Sequence, residues 1–517
     1  MQKKVYIESY GCQMNVSDSE VVASILAKDG YTPVQSAEEA DLVLLNTCSI
    51  REKAEYTVMQ RINEMNNLKA RKKGLKVGVL GCMAERMRED LLEKKKVVDL
   101  VVGPDAYRTL PELLEKVGTG QKAVNVLLSR EETYGEIVPV RLDTNGVTAF
   151  VTIMRGCDNM CAFCVVPFTR GRERSRDPHS IVDECRDLWA KGYKEVTLLG
   201  QNVDSYKWRS DDQMIRRSND QNTRLGVGSS QLAVEQLAVS SSQLAVEQLA
   251  VGSSQLAVSG SLDLSTTDFA DLLELVALAV PGMRIRYSTS HPKDMTDKVL
   301  AVMARYDNIC KYIHLPVQSG SSAVLQRMNR GYTREWYMER IASIRRHMPD
   351  CAISTDIIAG FCGETDADHA ETLSLMSEVG YDMAFMFKYS ERPKTLAARK
   401  YADDVPDIVK SQRLQEVIDR QKQLSAARMA SYVGQVHTVL IEGVSKRSAE
   451  HMYGRNTQNA VVIVPRNLRV DDPQGYVIDP PGTLTPGQFI RVRITSATSG
   501  SLQGEVLEVI HAAPAEA

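Results

Sequence analysis

Short apolar runs alternate with amphipathic stretches from the N-terminus to about residue 400. Val5-Tyr-Ile, Asp41-Leu-Val-Leu-Leu-Asn46 and Lys76-Val-Gly-Val-Leu-Gly81 read as strands. Each is followed by a helical stretch: Ser17 to Lys28, a long polar run through Arg61, and a run after Cys82-Met-Ala. Strands that alternate with helices predict a parallel sheet. Residues 108–146 hold a helix from Pro111 to Val117 and a mixed polar connection, read as a linker. From residue 147 the alternation resumes. The expected strands are Val147–Met154, Glu195–Gly200, Arg284–Thr289, Tyr312–Leu315, Ala352–Ile358 and Asp382–Phe387. Amphipathic helices separate them at Pro178–Lys191, Asp268–Ala279, Thr296–Arg305, Thr333–His347 and Asp366–Val379. Six βα units describe a partial barrel, whose chemistry belongs at the C-terminal ends of its strands. A helical period covers 406–431. After Gly434 the period shortens to strands at Val436–Ile441, Asn459–Val464, Phe489–Ile494 and Gly504–Val509, divided by Pro/Gly turns, which predicts a small β-barrel.

The fold class is therefore α/β: an N-terminal parallel-sheet domain, a partial (βα)6 TIM-like barrel and a C-terminal small β-barrel related in manner to OB-folds. The expected boundaries are 1–145 with its linker, 146–400, a connecting helix at 401–432, and 433–511. One segment breaks the pattern. Ser229-Ser-Gln-Leu-Ala-Val-Glu-Gln-Leu-Ala-Val-Ser240 recurs at 241–252 and begins again at 253. A twelve-residue period matches no solenoid repeat, so 209–262 reads as a low-complexity duplication expanded in a surface loop.

Composition narrows the class. A chain of 517 residues is too long for one ordinary domain. No apolar run approaches a membrane span, so no membrane partner is expected, and the first ten residues follow a strand pattern rather than that of an export signal. Ten cysteines in that context point to a reducing cytoplasm and to metal ligation rather than disulfides. A net charge of −3 means that any nucleic-acid partner must be met by local basic patches.

The cysteines carry the chemistry. Arg155-Gly-Cys157-Asp-Asn-Met-Cys161-Ala-Phe-Cys164 places three thiols at C-x3-C-x2-C spacing in one loop after the first barrel strand. Thiolates are soft ligands that suit iron–sulfur clusters or zinc. A structural zinc site wants four closed ligands, and the nearest candidate fourth, His179, lies fifteen residues past Cys164. Three thiolates instead leave one iron of a four-iron cube open. A second set is spread along the N-terminal domain. Cys12, Cys48 and Cys82 each follow a strand. In a parallel sheet those strands end on one edge, where ligands bind, although small buried thiols are also common core residues. Cys185, Cys310 and Cys351 fall in helix or strand patterns and read as core.

The loop with Phe163 just before its last cysteine resembles the cluster loop of radical S-adenosylmethionine (SAM) enzymes. Tyr10-Gly-Cys-Gln-Met-Asn15, Asn46-Thr-Cys-Ser-Ile-Arg-Glu-Lys-Ala54 and Gly81-Cys-Met-Ala84 resemble the N-terminal domain of the methylthiotransferases within that family. The resemblance implies two [4Fe-4S] clusters, one on Cys157, Cys161 and Cys164 that binds SAM, and an auxiliary one on Cys12, Cys48 and Cys82 that carries the sulfur. It places Phe163 beside the adenine and implies SAM contacts from Gln201, Asn202, Ser288, Gln318 and Asp356. The strand-end sequences Gly200-Gln-Asn-Val203, Ser288-Thr-Ser-His291, Leu315-Pro-Val-Gln-Ser-Gly320 and Asp356–Thr365 match the family's SAM-binding segments. Cys362 stands where the family usually has proline and is not assigned as a ligand. The C-terminal barrel resembles the TRAM domain, which binds RNA.

Asp158-Asn-Met-Cys161, Thr169–Arg176 and Gly200–Tyr206 resemble the methylthiotransferases of tRNA. This implies a methylthio group added at C2 of N6-isopentenyladenosine 37, next to the anticodon. Arg170, Arg172, Arg174 and Arg176 would then help hold the anticodon stem-loop, and Lys446, Arg447 and Arg455 would meet phosphates, along with Arg466, Arg469, Arg491 and Arg493. Internal pairing, for example with Glu173, is the competing role for the arginine run. An external electron donor, an iron–sulfur assembly or sulfur-donating protein, and a monomeric state are also expected. Two relatives act elsewhere, on threonylcarbamoyladenosine in tRNA and on an aspartate of a ribosomal protein. A non-enzymatic iron–sulfur carrier with an RNA-binding tail is the alternative of another class, but carriers more often use four ligands per cluster.

Overall fold

The computed structural model describes residues 2–49, 52–142, 145–210, 265–467 and 482–510. The duplicated segment and Arg469 lie outside the described residues. Among the described residues no helix is long and apolar enough to cross a membrane.

The N-terminal sheet has six parallel strands: β1 (Lys3–Tyr10), β2 (Tyr31–Pro33), β3 (Leu42–Thr47), β4 (Lys76–Gly81), β5 (Leu100–Val102) and β6 (Ala123–Asn125), in the order β2-β1-β3-β4-β5-β6. The apolar run of β3 is buried at every position, because it lies inside the sheet with a packed layer on each face. Helix α1 (Gln13–Lys28) begins four residues before Ser17, the expected start. Its first turn closes through the Asn15 amide on the Cys12 carbonyl, and the Asn15 side chain donates to the Tyr10 carbonyl. Helices α2 (Glu52–Arg71) and α3 (Cys82–Met87) follow β3 and β4.

The reading of 108–146 as a linker is corrected. Ala123–Asn125 is the edge strand of the sheet, and Tyr134 and Ile137 are part of its core. Tyr134 stacks on Tyr107 at 5.7 Å, and its hydroxyl donates to the Pro104 carbonyl. A three-residue strand is too short to show a period of two, which is why the pattern hides it.

Strand β7 (Thr148–Thr152) opens the barrel and leads into a small ribbon of β8 (Met154–Arg155) and β9 (Arg174–Ser175) around the cysteine loop. Next come β10 (Glu195–Leu199), the antiparallel pair β11 (Lys207–Arg209) and β12 (Thr266–Asp268), and then β13 (Arg284–Ser288), β14 (Tyr312–His314), β15 (Ala352–Ala359) and β16 (Met383–Lys388). The parallel triplets β7-β10-β13 and β14-β15-β16 meet where Ile285 bridges Ile309. All six expected barrel strands thus run parallel in chain order, and their C-terminal ends share one side.

Contacts divide the chain into two units, 207–268 and the remainder. In the first, Arg209 pairs with Thr266, so the chain leaves and re-enters the described residues at one end of the ribbon.

The helix Asp407–Ala430 leads to a closed five-stranded barrel: β17 (Val436–Val444), β18 (His451–Arg455), β19 (Val461–Pro465), β20 (Phe489–Ala497) and β21 (Leu502–Ile510). The sequence pattern misses β18, where polar ends flank only one large buried residue, Met452. Arg284 and Arg286 on β13 reach this small barrel and donate to the carbonyls of Arg455 and Asn456, each at 2.7 Å. Gln458 donates to Asp350, just ahead of β15. The small barrel therefore docks at the N-terminal ends of the large barrel's strands, opposite the side where chemistry is expected.

Candidate active site

Parallel register pairs Tyr10 with Thr47 and Thr47 with Gly81. Cys12, Cys48 and Cys82, each one or two residues further on, consequently emerge on one sheet edge. They line one cavity of about 150 Å³, together with Met14, Val166, Arg170, Gly200, Gln201, Ser288 and Thr289. Strand ends of the large barrel thus form the opposite wall. The close approach depends on Gly11, whose φ is +109°. A Cβ there would lie 2.3 Å from the Cys48 Cβ.

The electrostatics favour thiolate in this cavity. A hydrogen bond from Cys48, helped by the Arg170 cation and the Asn15 amide, lowers the Cys12 thiol to about 6 despite its burial. Burial pushes the Cys82 thiol up, while Arg170 opposes it by donating from Nε to Sγ at 3.2 Å. Among the described residues no three His, Cys, Asp or Glu converge closely enough to ligate a single metal ion. A cluster asks less, because each of its irons takes its own thiolate. The donor set, soft, partly ionised and beside a cation, fits an iron–sulfur cluster.

The second set lies in the β8–β9 loop. Gly156 has φ +78°, and a Cβ there would strike the Arg172 carbonyl at 1.9 Å, so the turn into Cys157 needs glycine. The Cys157 amide donates to the Gly171 carbonyl, and the Cys164 amide to that of Cys161. All three thiols are partly exposed. Arg330 is buried and donates to Cys161 Sγ at 3.1 Å, to the Pro316 carbonyl at 2.6 Å and to the Tyr332 hydroxyl at 3.0 Å. Nothing in the sequence around Arg330 marks it for this place. Burial pushes Cys157 up to about 12 and raises Cys164 as well. Phe163 is half-buried against the cluster that contains Phe361, Cys362 and Tyr389.

Buried polar atoms without partners gather at the ends of the barrel strands. They are both amide atoms of Gln201, Asn202 Oδ1, Ser290 Oγ, His291 Nε2 and Gln318 Oε1. Buried polar groups in a finished fold are paired, so this group fits a polar ligand such as a zwitterion with a ribose. Thr289 and Gln318 hold φ at +75° and +76°, a strained conformation for residues with side chains. Ser288 borders the cavity, with its hydroxyl 3.4 Å from that of Thr289. Asp356 lies 3.5 Å from His314 Nε2, and its carbonyl accepts from the Gln318 amide. Burial, with Arg330 and Lys293 nearby, drives the His291 pKa down to about 2, so its ring is neutral. Asp204, beside Ser290 and the His291 amide, has both oxygens buried without a hydrogen bond of good geometry. Ser290, His291 and Asp204 lie inside the strand-end segments that the sequence marks, yet spacing alone does not single them out.

The arginine run is corrected. Arg170, Arg174 and Arg176 are buried and paired internally, with Asp18, Asp105 and Glu184 respectively. Arg170 and Arg174 tie the N-terminal domain to the barrel, Arg176 pairs within the barrel, and none of the three is offered to solvent. Arg172 alone is exposed, 3.3 Å from Asp158. Glu173 accepts from the Asp158 amide instead of pairing with the run. In the small barrel Lys446 and Arg447 are exposed, whereas Arg455 is paired with Glu442 at 2.9 Å.

Three family models match this chain: the uncharacterized protein family UPF0004 over residues 4–103, the Radical SAM superfamily over 151–376 and the TRAM domain over 430–507. A tRNA-2-methylthio-N(6)-dimethylallyladenosine synthase of Amoebophilus asiaticus is 52% identical over 505 residues, covering 98% of this chain and 92% of that protein. Its namesakes from Flavobacterium johnsoniae and Bacteroides fragilis are 51% and 48% identical, covering 98% and 97% of this chain and 94% and 95% of theirs. A solved structure of the radical SAM methyltransferase TsrM from Kitasatospora setae, with cobalamin and a [4Fe-4S] cluster bound, has a TM-score of 0.52 at 13% identity over 77% of each chain, a likeness of fold alone. With about half of its residues shared with these relatives across nearly its whole length, the chain belongs to the family of tRNA-2-methylthio-N(6)-dimethylallyladenosine synthases.

Proposed function

We propose that Cys157, Cys161 and Cys164 hold a SAM-binding [4Fe-4S] cluster and that Cys12, Cys48 and Cys82 hold a second one. The protein is a radical SAM methylthiotransferase, and its substrate is tRNA. The finer reading is transfer to C2 of N6-isopentenyladenosine 37 in the anticodon stem-loop. The observation that carries it is the shared cavity: cysteines from three N-terminal strands face Gln201 and Ser288 at the ends of barrel strands.

When bound, SAM and the two clusters supply the radical that takes a hydrogen from carbon and the sulfur that replaces it. The chain's own residues bind, orient and exclude water. Gln201, Asn202, Ser288, Gln318 and Asp356 would contact SAM, joined by Ser290 and His291, whose neutral ring accepts from the Lys293 amide at Nδ1 and so offers an Nε2–H donor. Arg330 holds Cys161, and Phe163 would stand beside the adenine. Burial of Asn202, Ser290, His291, Gln318 and Arg330 would keep the reacting atoms dry and aligned. Lys446, Arg447 and Arg172 are the exposed cations for phosphate contact. An external electron donor and a sulfur-supplying or cluster-assembly protein complete the cycle, with the enzyme a cytoplasmic monomer.

The test reduces the reconstituted protein with SAM under anaerobic conditions, then adds anticodon stem-loops with isopentenylated, threonylcarbamoylated or plain adenosine, or the ribosomal peptide. Formation of 5′-deoxyadenosine and a methylthio mass gain on the isopentenylated stem-loop alone are expected. A gain on another substrate overturns the finer reading, and absence of 5′-deoxyadenosine favours the carrier.

A further inference from the structure

Five buried charged side chains form a line between the N-terminal domain and the barrel. Arg170 meets Asp18 at 2.8 Å, Asp18 meets Arg155 at 2.8 Å, Arg155 lies 3.7 Å from Asp105, and Asp105 meets Arg174 at 2.9 Å. None has a side chain more than 3% exposed. Glu85, which also senses Asp105, is paired with Arg88. Three guanidiniums thus face two carboxylates, and one positive charge is left over within the line. An uncompensated buried charge is strongly destabilising, so the line needs negative charge at its Arg170 end, where the Cys82 thiol lies 3.2 Å away and supplies it once ionised as a ligand.

The Arg170 end also borders a cavity. Its Nε donates to Cys82 Sγ at 3.2 Å, and its Nη2 serves Asn15 Oδ1 at 2.9 Å as well as Asp18. Its Nη1 is buried and has no partner, and the residue borders the cavity of Cys12, Cys48 and Cys82. A guanidinium has five N–H donors, and the two on Nη1 are therefore unused. Arg330, the guanidinium on the other cysteine set, is a contrast. Its three nitrogens are engaged by Cys161, Pro316 and Tyr332.

We propose that Arg170 is a positioning residue of the sulfur-donating site: its free Nη1 is the hydrogen-bond donor for a small sulfur anion held among Cys12, Cys48 and Cys82. The inference rests on the reading of those cysteines as the second cluster site. Arg170 then links three jobs through one rigid fork. It fixes Cys82, it locks the N-terminal domain to the barrel through Asp18, and it orients the anion toward the strand ends that carry Gln201 and Ser288.

The test uses the full-length protein with Cys157, Cys161 and Cys164 replaced by alanine, so that only the second site can hold iron. Sodium hydrosulfide is titrated into this protein and into its Arg170→Gln and Arg170→Lys forms. The electron paramagnetic resonance spectrum of the reduced cluster is followed, alongside iron content. Loss of a charge-assisted hydrogen bond predicts that Arg170→Gln needs at least about tenfold more hydrosulfide for half-saturation. Arg170→Lys keeps the charge but lacks the fork, and its value should fall between the two. An unchanged half-saturation in an iron-replete Arg170→Gln protein overturns the inference. If that variant holds no iron, Arg170→Lys decides by the same measure. If neither holds iron, Arg170 is an assembly element and the anion contact is wrong. A parent without iron would instead refute the cysteine assignment and take the inference with it.

Discussion

Single residues set how closely the site is drawn together. Gly11 permits the contact between the Cys12 and Cys48 loops, and its positive φ alone would cost an alanine about 1–2 kcal/mol, before the clash is counted. Gly11→Ala is expected to lose about half of the bound iron, with the SAM-binding site still loaded, which iron and sulfide analysis would read. Asp204 makes a pH-dependent contribution. Burial, with Asp294 adding to it, pushes its pKa up to about 8, whereas Ser290 and the His291 amide oppose the rise. A free aspartate titrates near about 4. Between those values the unfolded chain has released a proton that the folded chain keeps, so stability falls as pH rises through that window. Asp204→Asn cannot ionise. Its melting temperature relative to the parent should climb from about pH 5 to about pH 8, and a flat difference would show that the carboxyl is already ionised in the fold.

At the scale of elements, strand ends do the organising. The alternation of apolar runs and the position of a cysteine just past each of β1, β3 and β4 are legible along the chain, and so is the C-x3-C-x2-C loop after β7. The arginine run was not legible in the same way. Four arginines at alternate positions look like a solvated basic stripe, yet three have buried acidic partners at residues 18, 105 and 184. Local patterning cannot register partners as distant in the chain as Asp18 and Asp105, although Glu184 is only eight residues from Arg176. The insertion is the other lesson. Because Arg209 and Thr266 are paired neighbours, a short hairpin turn in place of 211–264 joins the ribbon without reaching. That deletion should leave iron content and 5′-deoxyadenosine formation unchanged, and a fall in either would give the segment a role.

Across the whole molecule, the small barrel and the cysteines sit at opposite ends of the large barrel's strands. A nucleic acid that touches both has to run the height of the barrel, so on the proposed reading the small barrel would meet phosphates of the stem rather than the reacting base. Lys446→Ala with Arg447→Ala should weaken tRNA binding at low salt and flatten the slope of log affinity against log salt by about 1.5. Turnover at saturating tRNA should stay near the parent value. An unaltered slope would remove these two residues from the interface. The docking itself depends on Arg286, which pairs with Glu195 at 2.9 Å and donates to the Asn456 and Thr457 carbonyls. Arg286→Ala leaves Glu195 buried and unpaired, at about 3–5 kcal/mol. Limited proteolysis should then cut ahead of residue 436 at a protease concentration that spares the parent.

Most of the order of strands and helices (the short β6 and β18 excepted), the three-part architecture and the placing of both cysteine sets after strands follow from the chain itself, because hydrophobic period and residue spacing are local properties. The convergence of Cys12, Cys48 and Cys82 was deducible one step further, since parallel strands must end on the same edge. Which charges face solvent was not. Arg170 and Arg174 acquire their partners only when the N-terminal domain closes on the barrel, Arg176 finds Glu184 on the helix that follows it, and Arg330 reaches Cys161 only when the loop that bears it folds over the cysteine loop. Burial and pairing are sums over the whole packed molecule, and these decide whether a basic residue meets RNA or holds a thiolate in place.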